Sequence, residues 1–176
     1  MISVLIIDDS ATARSVLRTI LESSPEIVVC GEAADAFEAR SAIKELHPDV
    51  LTLDIEMPKM DGITFLRNLM RLHPLPTVMV STLTEHGSEM SVEALSIGAV
   101  DCIHKPNLND FDNIANEITS KVINASKTNI LNTPSHYHDE TVQAEISGEY
   151  ISDRLIAIGA STGGVPAIEH VISTFP

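Results

Sequence analysis

Five side chains of complementary chemistry stand at the ends of short apolar runs: the carboxylates of Asp8, Asp9 and Asp54, the hydroxyl of Ser81 and the ammonium of Lys105. Asp8 and Asp9 follow SVLII, Asp54 follows VLTL, Ser81 ends VMVS, and Lys105 comes just after the apolar run 99–103. Three carboxylates brought to one place repel one another unless a cation lies between them. A hard divalent ion resolves this, and Mg2+ suits the set because it takes a few carboxylates together with waters and phosphate oxygens. An ion held there also screens an incoming phosphoryl group, to whose oxygens Ser81 offers a hydroxyl and Lys105 a compact positive charge. For any single aspartate, capping a helix is a sufficient explanation, and single Ser or Lys residues at strand ends are mostly solvated. The five together, on four strand ends, point to a phosphoryl-accepting pocket.

Whether they meet depends on the elements that carry them. Apolar runs of strand length at 2–7, 27–33, 49–53, 77–81 and 99–103 alternate with stretches whose apolar residues recur at helical spacing, over about 36–46, 63–72, 88–97 and 111–123. The first helix shows that spacing best: Ala13, Val16, Leu17, Ile20 and Leu21 fall on one face, Arg14 and Arg18 on the other. Pro25, Pro48 and Pro74 punctuate the helix ends. Five successive βα units with right-handed crossovers predict an α/β, flavodoxin-like fold whose five-stranded parallel sheet has the order 2-1-3-4-5. That order sets the carboxyl ends of strands 1 and 3 side by side at the switch point, where open α/β sheets bind ligands.

The chain of 176 residues is long enough for one complete domain plus a remainder. With no Trp and few other aromatics, the core must be built from Val, Ile, Leu, Ala and Met. The 25 acidic residues outnumber the 11 basic ones, for a formal charge of −14, which would repel a phosphate backbone and argues against nucleic-acid binding. Cys30 and Cys102 lie in apolar runs without metal-type spacing and read as buried free thiols of a reducing cytoplasm. No basic leader precedes the first apolar run and no segment is long enough to span a bilayer, so a soluble, cytoplasmic protein without membrane insertion is expected.

Between residues 125 and 153 the periodicity fades into Asn, Thr, Ser, His, Asp and Glu, with Pro134 and Gly148, as in an interdomain linker. RLIAIGASTGGVPAIEHVISTF then supplies a strand, a Gly-rich turn and a helical stretch, an incomplete βα unit that reads as the start of a second α/β domain. Its turn, Gly159-Ala160-Ser161-Thr162-Gly163-Gly164, contains G-x-S-x-G between a strand and a helix, the context of a nucleophile elbow. Helix-start amides near Ser161 could stabilise an oxyanion, and Pro166 fits a first helical turn. A plain Gly-rich connector and a phosphate-binding loop remain open, although no Gly-Lys-Ser/Thr follows to make a Walker loop. His170 lies too near Ser161 on the same helix to serve as its base. His136 and His138 sit in a linker that offers a metal no rigid geometry, and His104, beside Lys105, reads as an ordinary partly exposed histidine.

Residues 1–124 resemble a response-regulator receiver (CheY-like) domain, through Asp8-Asp9, Asp54 within LDIEMPKMDG, Ser81 and Lys105-Pro106. The resemblance implies Asp54 as phosphoacceptor, Mg2+ held by Asp8, Asp9, Asp54 and the main-chain carbonyl of Glu56, Ser81 and Lys105 as a switch pair, and a cis bond before Pro106. Where many receivers carry an aromatic three residues before the lysine, this sequence has Cys102. With a linker over 125–153 and GASTGG within 154–176, the chain resembles the chemotaxis response-regulator protein-glutamate methylesterases. Membership there implies a full-length enzyme that hydrolyses glutamyl methyl esters of chemoreceptors and deamidates glutamines through Ser161. The unphosphorylated receiver would block that site. Its implied partners are a chemotaxis sensor histidine kinase, methylated chemoreceptors and its own catalytic domain. The family's catalytic His and Asp lie further along than this chain runs, so this chain is expected to switch without hydrolysing. The alternative is a stand-alone, phosphorylation-dependent interaction module or phosphate sink. The strand LIAI, lacking a sheet, would favour self-association.

Overall fold

The structure, a computed structural model, describes residues 1–81, 85–105, 111–128, 130, 168 and 172, with backbone alone for 85–89 and 111–113. In chain order the elements are β1 (Ile2–Ile7), α1 (Ala11–Leu21), β2 (Ile27–Ala33), α2 (Ala36–Leu46), β3 (Val50–Asp54), α3 (Gly62–Leu72), β4 (Thr77–Ser81), α4 (Glu85–Ile97), β5 (Asp101–His104) and α5 (Phe111–Ser126). The strands form one parallel sheet in the order β2-β1-β3-β4-β5, the order expected from the alternation of elements.

Strand alternation divides the core into two layers. Leu5, Ile7, Leu51, Leu53 and Met79 face α2, α3 and α4. Val4, Ile6, Val50, Val78 and Val80 face α1 and α5, where Leu17, Ile20, Ile118 and Val122 meet them. Every residue of β3 and β4 is buried, as befits central strands covered on both sides. Each large aliphatic side chain so enclosed contributes about 1.5–3 kcal/mol. This packing is what fixes the strand tips in space.

Local chemistry explains most helix starts. Ser10, Asp35 and Asp61, all in extended backbone, cap α1, α2 and α3 by accepting hydrogen bonds from first-turn amides. Gly98, at φ 125°, closes α4: its amide donates to Leu95 and that of Ala99 to Ala94, a Schellman ending that only a left-handed residue allows. The ending holds Ala99 and Val100 outside the last strand, which begins at Asp101 rather than 99. α4 begins at Glu85, before the apolar spacing shows it. α5 runs on to Ser126 because fully buried Val122 and Ala125 continue its apolar stripe, so its last two residues belong to the receiver helix although the polar composition places them in the linker. A register shift between Val4 and Leu5 leaves Cys30 as the extra residue of a bulge on the β2 edge, its thiol donating to the Val4 carbonyl at 3.3 Å. Cys30 and Cys102 are both free and partly rather than fully buried.

Among the described residues no helix is long and apolar enough to cross a membrane. Of the C-terminal unit, Ile168 and Ile172 are described, both helical. Ser161, His136, His138, His170, Pro106 with the bond before it, and the strand LIAI lie outside the described residues.

Candidate functional site: an acidic pocket opposed by one lysine

Asp8, Asp9 and Asp54 meet at the carboxyl ends of β1 and β3, with one carboxylate oxygen of each within 4.8 Å of the others. Asp8 and Asp54 are buried and Asp9 is exposed, so the cluster is a pocket with one wet side. Helix capping does not account for them. α1 is capped by Ser10 and α3 by Asp61, which leaves all three carboxylates outside the capping roles. Asp8 is oriented by the reverse contact: its Oδ1 accepts from the Ser10 amide at 2.8 Å, leaving Oδ2 to the pocket.

Lys105, just past β5, reaches across β4 to this cluster. Its Nζ donates to Asp54 Oδ2 at 2.9 Å and lies 3.2 Å from Asp8 Oδ2, an ion-pair distance without hydrogen-bond alignment. Its backbone amide is pinned to the Ser81 carbonyl at 2.8 Å. Asp8 Oδ2 and Asp54 Oδ1 are buried without a hydrogen-bond donor. Buried carboxylate oxygens without a donor are costly; Asp54 Oδ1, and Asp8 Oδ2 with the Lys105 ion pair as its counter-charge, beside the wet carboxylate of Asp9, fit an oxygen-ligated divalent cation.

The electrostatics agree. Burial, reinforced by the field of Asp8, pushes the Asp54 carboxyl up from an ordinary 3.8 to about 6, against the opposing pull of Lys105 and the Glu56 backbone. Burial also works against the Lys105 ammonium, but the hydrogen bond to Asp54 and the fields of Asp54 and Asp8 outweigh it and raise its pKa.

Ser81 is buried at the tip of β4, with its hydroxyl 3.3 Å from that of Ser91 on α4. Cys102, on β5, donates its thiol to the Ser91 carbonyl at 3.5 Å. Burial raises the Cys102 thiol to about 11, so it acts as a neutral donor. In place of an aromatic, Cys102 gives this chain a short polar link between β5 and α4. Glu56 is exposed in the loop after β3.

Three participants carry no recognisable signature in the sequence. Arg14, which helical spacing places only on the solvent face of α1, donates from Nη1 to the carbonyls of Asp8 at 2.7 Å and Asp9 at 3.2 Å. Ser91 gives no signal, since its importance comes from where α4 packs. Gly62 has the look of a turn residue, but its partner is hidden: a Cβ there would collide with the Asp54 carbonyl oxygen, and its amide donates to Ile55 at 2.9 Å.

Comparison with known proteins agrees with this geometry. A family model described as the response regulator receiver domain matches residues 4–119. The chain belongs to the response-regulator receiver family. The receiver is of the CheB chemotaxis type: the solved response regulator domain of Thermotoga maritima CheB is 43% identical, with a TM-score of 0.67 over 73% of this chain and 98% of that one. A second structure, the CheX–CheY–BeF3–Mg2+ complex from Borrelia burgdorferi, is 35% identical with a TM-score of 0.58, over 68% of this chain and 87% of that one. In sequence, the protein-glutamate methylesterase/protein-glutamine glutaminase 2 of Saccharophagus degradans is 49% identical over 99% of this chain and 52% of its own length. The protein of that activity from Hydrogenovibrio crunogenus is 43% identical over 99% of this chain and 56% of its own. The receiver chain therefore spans about half the length of these relatives.

Proposed function

We propose that this receiver accepts a phosphoryl group on Asp54. The observation that carries the reading is the convergence of three carboxylates, two with a buried oxygen that accepts no hydrogen bond, faced by Lys105 at 2.9 Å from the acceptor. Asp8, Asp9, Asp54 and the Glu56 carbonyl would hold Mg2+, which when bound would supply positive charge to offset charge developing on the phosphoryl oxygens. An Asp54 carboxylate oxygen attacks the phosphorus of a phosphohistidine. The new P–O bond makes an acyl phosphate while the P–N bond breaks, and the imidazole leaves with the electron pair and takes up a proton. Lys105 then pairs with a phosphoryl oxygen, and Ser81 turns its hydroxyl to another. That a 35%-identical chain stands in a complex with Mg2+ and BeF3 supports the choice of metal.

The donor is the sensor histidine kinase of a cytoplasmic chemotaxis pathway. The longer protein to which the segment 154–176 belongs is a glutamyl methylesterase and glutamine deamidase of chemoreceptors, with Ser161 as nucleophile and the receiver as its inhibitor until phosphorylation. The names and 43–49% identities of the relatives support the methylesterase and glutaminase activity of that longer protein. The test is incubation with acetyl phosphate and Mg2+, followed by mass spectrometry of the intact chain. One phosphoryl group is expected, absent from Asp54→Asn and from the chelated wild type; a label persisting in Asp54→Asn refutes the acceptor. For the enzyme, methanol release from methylated receptor is expected from a chain carrying the catalytic domain and not from these 176 residues alone. Release by the short chain would overturn the need for the missing His and Asp.

A further inference from the structure

We infer that Arg14 is a positioning residue for the acidic pocket, acting through the backbone of the metal-binding pair. Asp8 and Asp9 follow the end of β1, where the sheet no longer fixes their conformation on both sides. Asp8 keeps one ladder-like bond, from its amide to Ala33 at 3.1 Å, while its carbonyl and that of Asp9 point toward α1. One guanidinium nitrogen of Arg14 takes both carbonyls, at 2.7 and 3.2 Å. A peptide whose carbonyl is held has its plane fixed, and two held in succession limit how far the Asp9 side chain can swing from the pocket. With the Ser10 amide on Asp8 Oδ1, the acid pair is gripped at three points.

The clamp is itself braced. Arg14 Nε donates to Glu32 Oε2 at 3.1 Å, and the other oxygen of Glu32 accepts from Arg18 Nε at 2.7 Å. Arg18 continues to Glu22 at 2.9 Å, so a chain of charges ties α1 to β2 behind the pocket. The planar fork of arginine matters here, because it presents Nη1 to the carbonyls and Nε to the carboxylate at once. A lysine has one nitrogen and cannot do both. Glu32 offsets the Arg14 charge, so the guanidinium organises the pocket without neutralising it as Lys105 does. Partners that orient metal ligands from behind are worth about 10- to 100-fold in metal affinity.

This inference rests on the reading of the pocket as a Mg2+ site, and the experiment separates the two. Mg2+ is titrated into the full chain, uniformly 15N-labelled, following amide shifts of the β1–α1 turn, for wild type, Arg14→Lys, Arg14→Gln and Glu32→Gln; dispersed spectra establish that each variant is folded. Arg14→Lys, which keeps the charge, is expected to raise the Mg2+ Kd about tenfold, the lower end of such outer contacts, with Arg14→Gln at least as weak. Glu32→Gln, which leaves the guanidinium but loosens its brace, should give a smaller rise. An unchanged Kd in Arg14→Lys, or tighter binding in Arg14→Gln, would mean that Arg14 acts only as a nearby positive charge and would overturn the inference. If a variant is unfolded, the Kd of folded Glu32→Gln decides, and no rise there counts against the clamp. A wild type that shows no Mg2+-dependent shifts would remove the parent reading instead.

Discussion

Asp54→Asn should make the metal-free receiver more stable, and by an amount that depends on pH. In the fold the Asp54 carboxyl is raised from 3.8 to about 6, chiefly by burial. A raised carboxyl binds its proton more tightly in the folded than in the unfolded chain, so its contribution is most favourable below pH 3.8 and is lost as the pH climbs to about 6. A tenfold change in proton affinity corresponds to about 1.4 kcal/mol, so above pH 7 the ionised side chain costs the fold about 3 kcal/mol. Asparagine keeps the shape of the neutral acid and never ionises. In EDTA at pH 7.5 the variant is expected to gain about 3 kcal/mol, and at pH 5.0 roughly half as much, since the wild type then folds with its proton on. With no Trp in the chain, urea unfolding followed by far-ultraviolet circular dichroism is the suitable assay. A variant less stable than wild type at pH 7.5, or an equal gain at both values, would show that burial of Asp54 charge is not what the pocket resists.

Two further perturbations probe the same pocket. Lys105→Met leaves the buried Asp8 and Asp54 without their counter-charge and should cost about 3 kcal/mol at pH 7.5 without metal; because Lys105 holds the Asp54 pKa down, the carboxyl should also titrate above its present value in 13C NMR, and an unmoved titration would contradict the ion pair. Gly62→Ala drives a methyl into the Asp54 carbonyl oxygen, and because that obstacle is backbone the cost should reach about 3 kcal/mol in urea unfolding, whereas a near-neutral result would mean the β3–α3 turn has room to relax.

The sheet order and the carboxylate cluster are legible in the sequence because both rest on periodicity. Apolar runs long enough for buried strands, separated by helical spacing, admit few parallel topologies, and the order adopted brings Asp8, Asp9 and Asp54 together. What the sequence hides depends on tertiary contact. Arg14 sits where an amphipathic helix places solvent-facing cations, and nothing in its spacing reveals two carbonyls folded back beneath it. Ser91 is one of several serines on a weakly patterned helix, and its worth appears only when β4 and β5 bring Ser81 and Cys102 to it. The last boundary of α5 is obscured because Ala125 is buried by helical position and not by hydrophobic bulk.

The charge balance of the pocket connects these contacts to switching. Three carboxylates face one ammonium, and Arg14 gives its charge to carbonyls and to Glu32, so two negative charges stay uncompensated among the described groups, the number one divalent cation cancels. On the proposed chemistry an acyl phosphate carrying about −1.5 to −2 then replaces the single charge of the Asp54 carboxylate, a net gain of roughly one negative charge or less. On that chemistry Lys105 would be drawn from Asp54 Oδ2 to that group, and Ser81 would follow. Ser81 is already in touch with α4 through Ser91, and Ser91 with β5 through Cys102, so a rotation of Ser81 on the proposed chemistry would disturb both elements without an aromatic to carry the movement. Ser91→Ala removes the hydroxyl contact with Ser81 and keeps the carbonyl that Cys102 uses. Phosphorylation by acetyl phosphate should proceed in the variant as in wild type, while the phosphorylation-induced amide shifts of residues 90–97 and 101–104 fall by roughly half or more, a loss of coupling on the order of 1 kcal/mol for one hydroxyl contact. Shifts as large as those of wild type would place the route from pocket to α4 elsewhere, through the Lys105 backbone bond to Ser81.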